Sequence, residues 1–235
     1  MAEMAEEYPD VIFLHCSGYL NNDTNFGNYF GKMYQPRYLS GLVAGSVTES
    51  NKIGYVAAFP IPEVVRGINA FAQGVKETNP DATVEIVWTF TWFGPEAETQ
   101  AANALLETGA DVLAQHQDSP ATGIAAEAAG AKWISYNTAY GQEAAPGAFL
   151  TAPVWDWGPY YVEVVEAISE GTFVPEAYWG GMETGLISLY KLSDGIPRNV
   201  EQLVNEKNME ILTGSFDPTI VEDTFIDNVI GTINP

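Results

Sequence analysis

The sequence predicts an α/β fold built on parallel sheets, and three observations carry that prediction. Strand-length apolar runs alternate with helix-length amphipathic segments along most of the chain, the pattern that βαβ units produce. The runs are short and continuously apolar, as strands covered on both faces are. Several of them also stop abruptly in aromatic, amide and carboxylate side chains. In open α/β sheets ligands bind just beyond the carboxyl ends of the strands, so recognition residues belong there.

The elements follow in order. After the turn Tyr8-Pro9-Asp10, Val11 to Leu14 reads as a strand ending in His15-Cys16-Ser17-Gly18-Tyr19. An Asn-, Asp- and Gly-rich loop leads to a helix over Tyr29 to Thr48, with Ser40, Gly41, Ala44 and Gly45 on one stripe. Lys52 to Phe59 is a strand broken by Pro60 and Pro62. Glu63 to Thr78 is a helix with Val64, Ile68, Phe71 and Val75 at helical spacing, and Asn79-Pro80-Asp81 turns the chain. Val84 to Phe90 is the next strand, ending in Thr91-Trp92-Phe93-Gly94-Pro95, and the helix Glu96 to Thr108 stops at Gly109. Val112 to Ala114 is a strand that runs into Gln115-His116-Gln117-Asp118-Ser119-Pro120, where Ser119 is placed to cap the helix Ala121 to Gly130.

Lys132 to Tyr136 and Ala148 to Val154 are further strands, ending in Asn137-Thr138 and Trp155-Asp156-Trp157-Gly158-Pro159. Tyr160 to Glu170 is a helix. Beyond Gly171 the pattern loosens, with a strand at Leu186 to Tyr190, a polar amphipathic helix at Asn199 to Thr213, and an ambiguous segment from Val221 to Ile233. Residues 52–154 could form one domain. Residues 1–50 and 155–235 would then share a second, with the chain crossing between them twice.

The composition excludes several function classes. Nine Lys and Arg against 31 Asp and Glu leave a formal charge of -22 on 235 residues. Such a surface repels nucleic acid and anionic lipid. The acidity is spread along the chain, as on a solvated surface, and would suit a salty habitat. No stretch approaches the roughly 20 apolar residues of a membrane span. The acidic start Met1-Ala2-Glu3-Met4 shows no secretory signal, and one cysteine, Cys16, permits no internal disulfide.

Laid together, the strand tips suggest a pocket for a small, flat, polar ligand. Phe59, Trp92, Phe93, Trp155 and Tyr19 offer ring faces, while Gln117, Asp118, His116, Asn137 and Asp156 can read the edge of a heterocycle. Each has a plainer role open to it: the rings as core plugs, Asp156 as a cap, Asn137 in a turn. Catalytic and cofactor signatures are poor, with no P-loop, HExxH, GxSxG or GxGxxG. A zinc site on His15, His116 and Asp118 matches no common spacing, so no metal and no cofactor is expected.

Four near-contiguous segments nonetheless carry a resemblance. They are Phe30-Gly31-Lys32-Met33-Tyr34-Gln35-Pro36-Arg37-Tyr38-Leu39, Lys52 to Val64, Gln115 to Pro120, and Val154-Trp155-Asp156-Trp157-Gly158-Pro159-Tyr160-Tyr161. They closely resemble the basic-membrane-protein (BMP) family, the extracytoplasmic substrate-binding lipoproteins of ABC importers that include purine-nucleoside receptors. The resemblance runs from about residue 8 to about residue 218. It implies a type I periplasmic-binding fold: two Rossmann-like lobes with parallel sheets, a hinge, and a purine base or nucleoside held in the cleft without catalysis. By position, Trp92 and Phe93 look like the stacking pair and Asp118 and Asn137 like its polar partners, with Trp155 where the return crossover meets the cleft. The Gln-His-Gln-Asp-Ser-Pro and Trp-Asp-Trp words look closer to base binders than to nucleoside binders.

Two departures stand beside the resemblance. The family begins with a lipoprotein signal and a strand-helix-strand-helix unit, whereas this chain enters at what would be the fourth strand of lobe one. Lobe one is therefore expected to be incomplete, with an uncovered sheet edge and a tendency to aggregate. Near the C-terminus, Asp217-Pro218-Thr219 runs directly into Val221-Glu222-Asp223 where the family has a Gly-Pro-rich hairpin. The resemblance implies an extracytoplasmic location and ABC permease partners. The alternatives are a nucleoside- or sugar-processing enzyme using Asp118 and His116 as an acid/base pair, and the sensor domain of a regulator, against which the charge weighs.

Overall fold

The computed structural model describes residues 1–233. Its elements are α1 (Ala2–Glu7), β1 (Phe13–Cys16), β2 (Phe26–Gly31), α2 (Tyr34–Val47), β3 (Lys52–Ala57), α3 (Pro62–Thr78), β4 (Thr83–Trp88) and α4 (Pro95–Glu107). They continue with β5 (Val112–Gln115), α5 (Ala121–Ala128), β6 (Lys132–Ile134), α6 (Gly141–Ala144), β7 (Phe149–Thr151), β8 (Pro153–Trp155) and α7 (Gly158–Glu170). The last are β9 (Ala177–Gly180), a 3₁₀ turn at Met182–Thr184, β10 (Ile187–Leu189), α8 (Arg198–Leu212) and β11 (Val229–Ile230).

The chain divides into two compact units. Unit 1 is Met1–Lys32 with Trp155–Ile187, and unit 2 is Met33–Val154 with the segment from Ser188 onward. The chain thus crosses after residues 32, 154 and 187, not twice as the sequence reading had it. Residues 33–50 and 188–233 fall in unit 2, whereas the sequence reading grouped them with 1–32 and 155–187. The physical reason is the close seating of α2 on α3. Gly41 and Gly74 face each other's helix so tightly that a Cβ at Gly41 would strike the Phe71 carbonyl, and one at Gly74 the Tyr38 carbonyl. Tyr38 also donates to Glu77 at 2.5 Å, and Phe216, beyond α8, lies 5.1 Å from the Tyr38 ring.

Unit 2 holds the six-stranded sheet, in the order β11-β4-β3-β5-β6-β7, with every pairing parallel. Its central strand is β3, where neighbouring side chains serve opposite faces. Tyr55 meets Phe71 of α3 at 5.5 Å, while the Gly54 side leaves room for Leu105 of α4 and Leu113. Helices therefore cover both faces. One core cluster gathers Leu105, Leu113, Trp133 and Phe149, and Trp133, Ile53, Ile68 and Phe71 are fully buried. The register sets Ala57 opposite Trp88, Val56 opposite Gln115 and Ala114 opposite Ile134. The carboxyl ends of these strands consequently lie side by side.

Unit 1 is a three-stranded parallel sheet, β1-β2-β9, with β1 and β9 at its edges. The Asn25 amide donates to the carbonyls of Ala5, Tyr8 and Val11 and so ties α1 and its turn to the start of β2. Residues 26–31 are a strand where the sequence reading extended a helix back to Tyr29. Two glycines explain it. A Cβ at Gly27 would lie 2.9 Å from the Glu176 carbonyl, and one at Gly31 2.5 Å from the Trp155 ring, so Gly27 lets β9's segment close in and Gly31 lets the indole lie against the strand.

Candidate functional site

The strand tips of unit 2 bring six of the expected residues together: Phe59 after β3, Trp92 after β4, His116, Gln117 and Asp118 after β5, and Asn137 after β6. Trp92 lies 5.2 Å from Phe59 and 6.0 Å from His116, ring to ring. His116 is 4.9 Å from Tyr136. Asp118 accepts a hydrogen bond from the Asn137 side-chain amide, and its backbone N–H donates to the Trp92 carbonyl at 3.0 Å. Asn137 adopts φ 67°, a left-handed conformation that asparagine tolerates better than most residues.

The two carboxamides of the Gln-His-Gln run are already used inside the fold. Gln117 is fully buried. It donates to Thr89 Oγ1 at 2.6 Å and accepts from the His116 backbone at 3.2 Å, so it shapes the loop instead of offering the edge-reading group that the sequence suggested. Gln115 donates to the carbonyls of Gln117 and Ser119 and accepts from Trp133 Nε1. Ser119 accepts from the Ala121 N–H at 3.2 Å, one residue before the N-cap Pro120, so it steadies the turn into α5 and is not the N-cap that the sequence suggests. Phe93 is 65% exposed and Trp92 42%, so Trp92 is the ring seated in the cluster.

Under the tips lie charged groups that the sequence reading passed over. Arg37 of α2 is fully buried. Its guanidinium donates to the Gln115 carbonyl at 2.7 Å and lies 3.9 Å from the centroid of Tyr136. The signal is visible in the sequence: Arg37 is the one charged residue of α2, in a chain with nine Lys and Arg. Glu63, at the start of α3, lies 3.3 Å from His116 Nε2. Burial holds the His116 pKa below 6.5, against the pull of Glu63. Burial pushes the Glu63 carboxyl up, but His116, Arg37 and Arg66 together bring it below its ordinary value. A neutral imidazole thus donates to a carboxylate. Burial raises the Asp118 pKa, with the Asn137 bond and His116 opposing it.

The remaining expected residues lie in unit 1. Trp155 stacks on Trp157 at 4.5 Å and meets Phe30 at 4.9 Å. Asp156 accepts from the Gly158 N–H at 3.1 Å, a local turn just before the N-cap Trp157 of α7. Tyr19 is 86% exposed. A cavity of about 250 Å³ in unit 1 is lined by Leu14, Tyr160, Glu163, Phe173, Glu176 and Tyr178, among others, and by none of the expected site residues. Among the described residues no group of His, Cys, Asp and Glu is placed to hold a metal ion, and no helix is long and apolar enough to cross a membrane.

Parallel strands with polar and aromatic side chains at their carboxyl ends are where open α/β sheets bind ligands, and comparison with known proteins gives the family. The family described as ABC transporter substrate-binding protein PnrA-like (Bmp) matches residues 1–216. The chain belongs to this PnrA-like family. It is 45% identical over 217 residues to TsgA13 of Haloferax volcanii, named as a candidate ABC transporter glucose-binding protein, covering 92% of this chain and 55% of that one. It is 36% identical over 221 residues to a purine-binding protein of Brucella abortus, covering 92% of this chain and 61% of that one. The chain therefore spans 55% to 61% of the length of these two PnrA-like relatives. An ABC transporter solute-binding protein of Conexibacter woesei superposes with a TM-score of 0.72 at 25% identity, covering 93% of this chain and 74% of that one. The PnrA-like chain thus has the α/β, type I periplasmic-binding fold with parallel sheets.

Proposed function

We propose that this chain is part of an extracytoplasmic solute-binding protein that hands a purine base or nucleoside to an ABC permease, without catalysis. The observation that carries the reading is the cluster at the strand tips of unit 2. Trp92 supplies a ring face beside Phe59, and Asp118, tied to Asn137, supplies acceptors at its rim. Stacking of a base on an aromatic ring contributes roughly 1–3 kcal/mol and tolerates any base. Choice among bases then falls to the donor and acceptor pattern read at the edge. The Brucella relative is named for purine binding, which supports the same chemistry here.

The second reading is a sugar, favoured by the Haloferax relative's name and by the fact that ring faces and carboxylates also suit a polyhydroxylated ligand. One experiment separates the two. Thermal melting of the protein is followed with adenine, guanine, hypoxanthine, their nucleosides and glucose, each at millimolar concentration. A ligand at 100 times its Kd stabilises the folded state by about 2.7 kcal/mol, which a melting curve resolves. A rise with a purine and none with glucose is expected. A rise with glucose alone would overturn the purine reading, and loss of nucleoside on incubation would replace binding by turnover.

A further inference from the structure

We infer that Glu98 is the positioning residue of this site: a carboxylate that touches no ligand but fixes where the Trp92 ring stands relative to the Asp118 carboxylate. The inference rests on the assignment of ligand recognition to the unit 2 strand tips.

Glu98 sits in the first turns of α4 and is fully buried. A carboxylate removed from water needs strong hydrogen bonds to remain there, and both of its oxygens have one. Oε1 accepts the Gly94 N–H at 2.9 Å, and Oε2 accepts the Ser119 hydroxyl at 2.5 Å. Gly94 closes the loop that carries Trp92 and Phe93. Ser119 follows Asp118 directly, and its Oγ in turn accepts the Ala121 N–H at the start of α5. The carboxylate therefore bolts the loop after β4 to the loop after β5, near the N-termini of two helices whose partial positive charge favours an anion. Two further bonds join these loops, the 3.0 Å bond from the Asp118 N–H to the Trp92 carbonyl and the 2.6 Å bond from Gln117 Nε2 to Thr89 Oγ1. Those bonds hold the loop after β4 at Thr89 and Trp92, whereas Glu98 holds its far end at Gly94, so without Glu98 the segment that carries the Trp92 and Phe93 rings is fastened on one side only.

The chemistry of the side chain matters as much as its place. A carboxylate accepts from two donors at once. A glutamine keeps the shape and one acceptor but presents an NH₂ to the other donor, and an alanine leaves both donors buried without a partner.

The test uses Glu98→Ala, Glu98→Gln and Ser119→Ala in the full chain, each with and without Trp92→Phe so that Trp92 emission is obtained by difference. Acrylamide quenching of Trp92, the adenine Kd by calorimetry and the melting temperature are read together. Glu98→Ala removes both bonds and is expected to raise Trp92 quenching and weaken adenine roughly tenfold, about 1.4 kcal/mol of lost binding. Glu98→Gln, which keeps one of the two acceptors, should recover part of both effects, and Ser119→Ala, which removes one of the two donors, should fall between wild type and Glu98→Ala. Lowered melting with unchanged quenching in all three variants would overturn the inference, because a merely structural role moves stability alone. If Glu98→Ala does not fold, the other two variants decide by the same criterion. If the wild-type protein binds no adenine, the ligand reading falls, and quenching alone decides the role of Glu98.

Discussion

His116 donates its Nε2–H to the Glu63 carboxylate across 3.3 Å, and both groups are held in the forms that this bond needs. The His116 pKa is lowered by burial, so the folded state keeps the ring neutral while the unfolded chain protonates near pH 6.5. Glu63 is lowered as well. In both cases the unfolded state binds more protons, so stability is present above the unfolded pKa and is lost as pH falls. The His116 contribution goes first, below about pH 6.5. Urea unfolding at pH 7.5 and at pH 5.5 should show wild-type protein weaker at the lower pH. His116→Gln, which can still donate to Glu63, should flatten that difference, and an unchanged difference would remove His116 as its source.

Arg37 joins the strand tips to α2, bonding the Gln115 carbonyl and lying over Tyr136. Arg37→Ala should cost about 3 kcal/mol by urea unfolding, since it opens a void and leaves Glu63 with less compensation. Arg37→Lys should recover less than half of that loss, because an ammonium lacks the planar face that meets the Tyr136 ring. Full recovery by lysine would reduce Arg37 to a point charge.

The fold was legible in the strands of unit 2 because their apolar runs are continuous and their ends are punctuated. Lys52 to Phe59 and Val112 to Ala114 needed no tertiary information. Strand β2 was not legible, since Gly27 and Gly31 erase the β pattern and earn their places only from Glu176 and Trp155, far along the chain. The place of α2 in unit 2 is illegible for a similar reason: the small-residue stripe of Gly41 and Gly45 is visible in the sequence, but not that Gly74 on α3 packs against α2. At the site, residue types were legible and their commitments were not. Gln117 looked like a reader of ligand edges from its position, and only Thr89, 28 residues away in sequence, shows where its amide goes.

That same helix contact supports a stability prediction with a sign opposite to the usual one. Glycine inside a helix costs about 1 kcal/mol relative to alanine, so propensity alone would make Gly74→Ala stabilising. Its Cβ would instead strike the Tyr38 carbonyl, which is backbone and cannot rotate away. Gly74→Ala, and separately Gly41→Ala, should lower the unfolding free energy by about 2–3 kcal/mol. A gain in either variant would mean that α2 and α3 can separate without cost.

The last prediction concerns which ring carries the ligand. Trp92 and Phe93 are neighbours in sequence, yet Trp92 is the one gathered with Phe59 and His116, while Phe93 is 65% exposed. If a base stacks on Trp92, Trp92→Ala should weaken adenine by about 10- to 100-fold, the equivalent of roughly 1–3 kcal/mol for one stacked base. Phe93→Ala should change it less than threefold, within the range of a surface substitution of about 0.5 kcal/mol. Calorimetric titration of both variants, with melting curves to show that each is folded, gives the order directly. The reverse order would move the platform to Phe93 and turn Trp92 into a plug that supports the His116 ring.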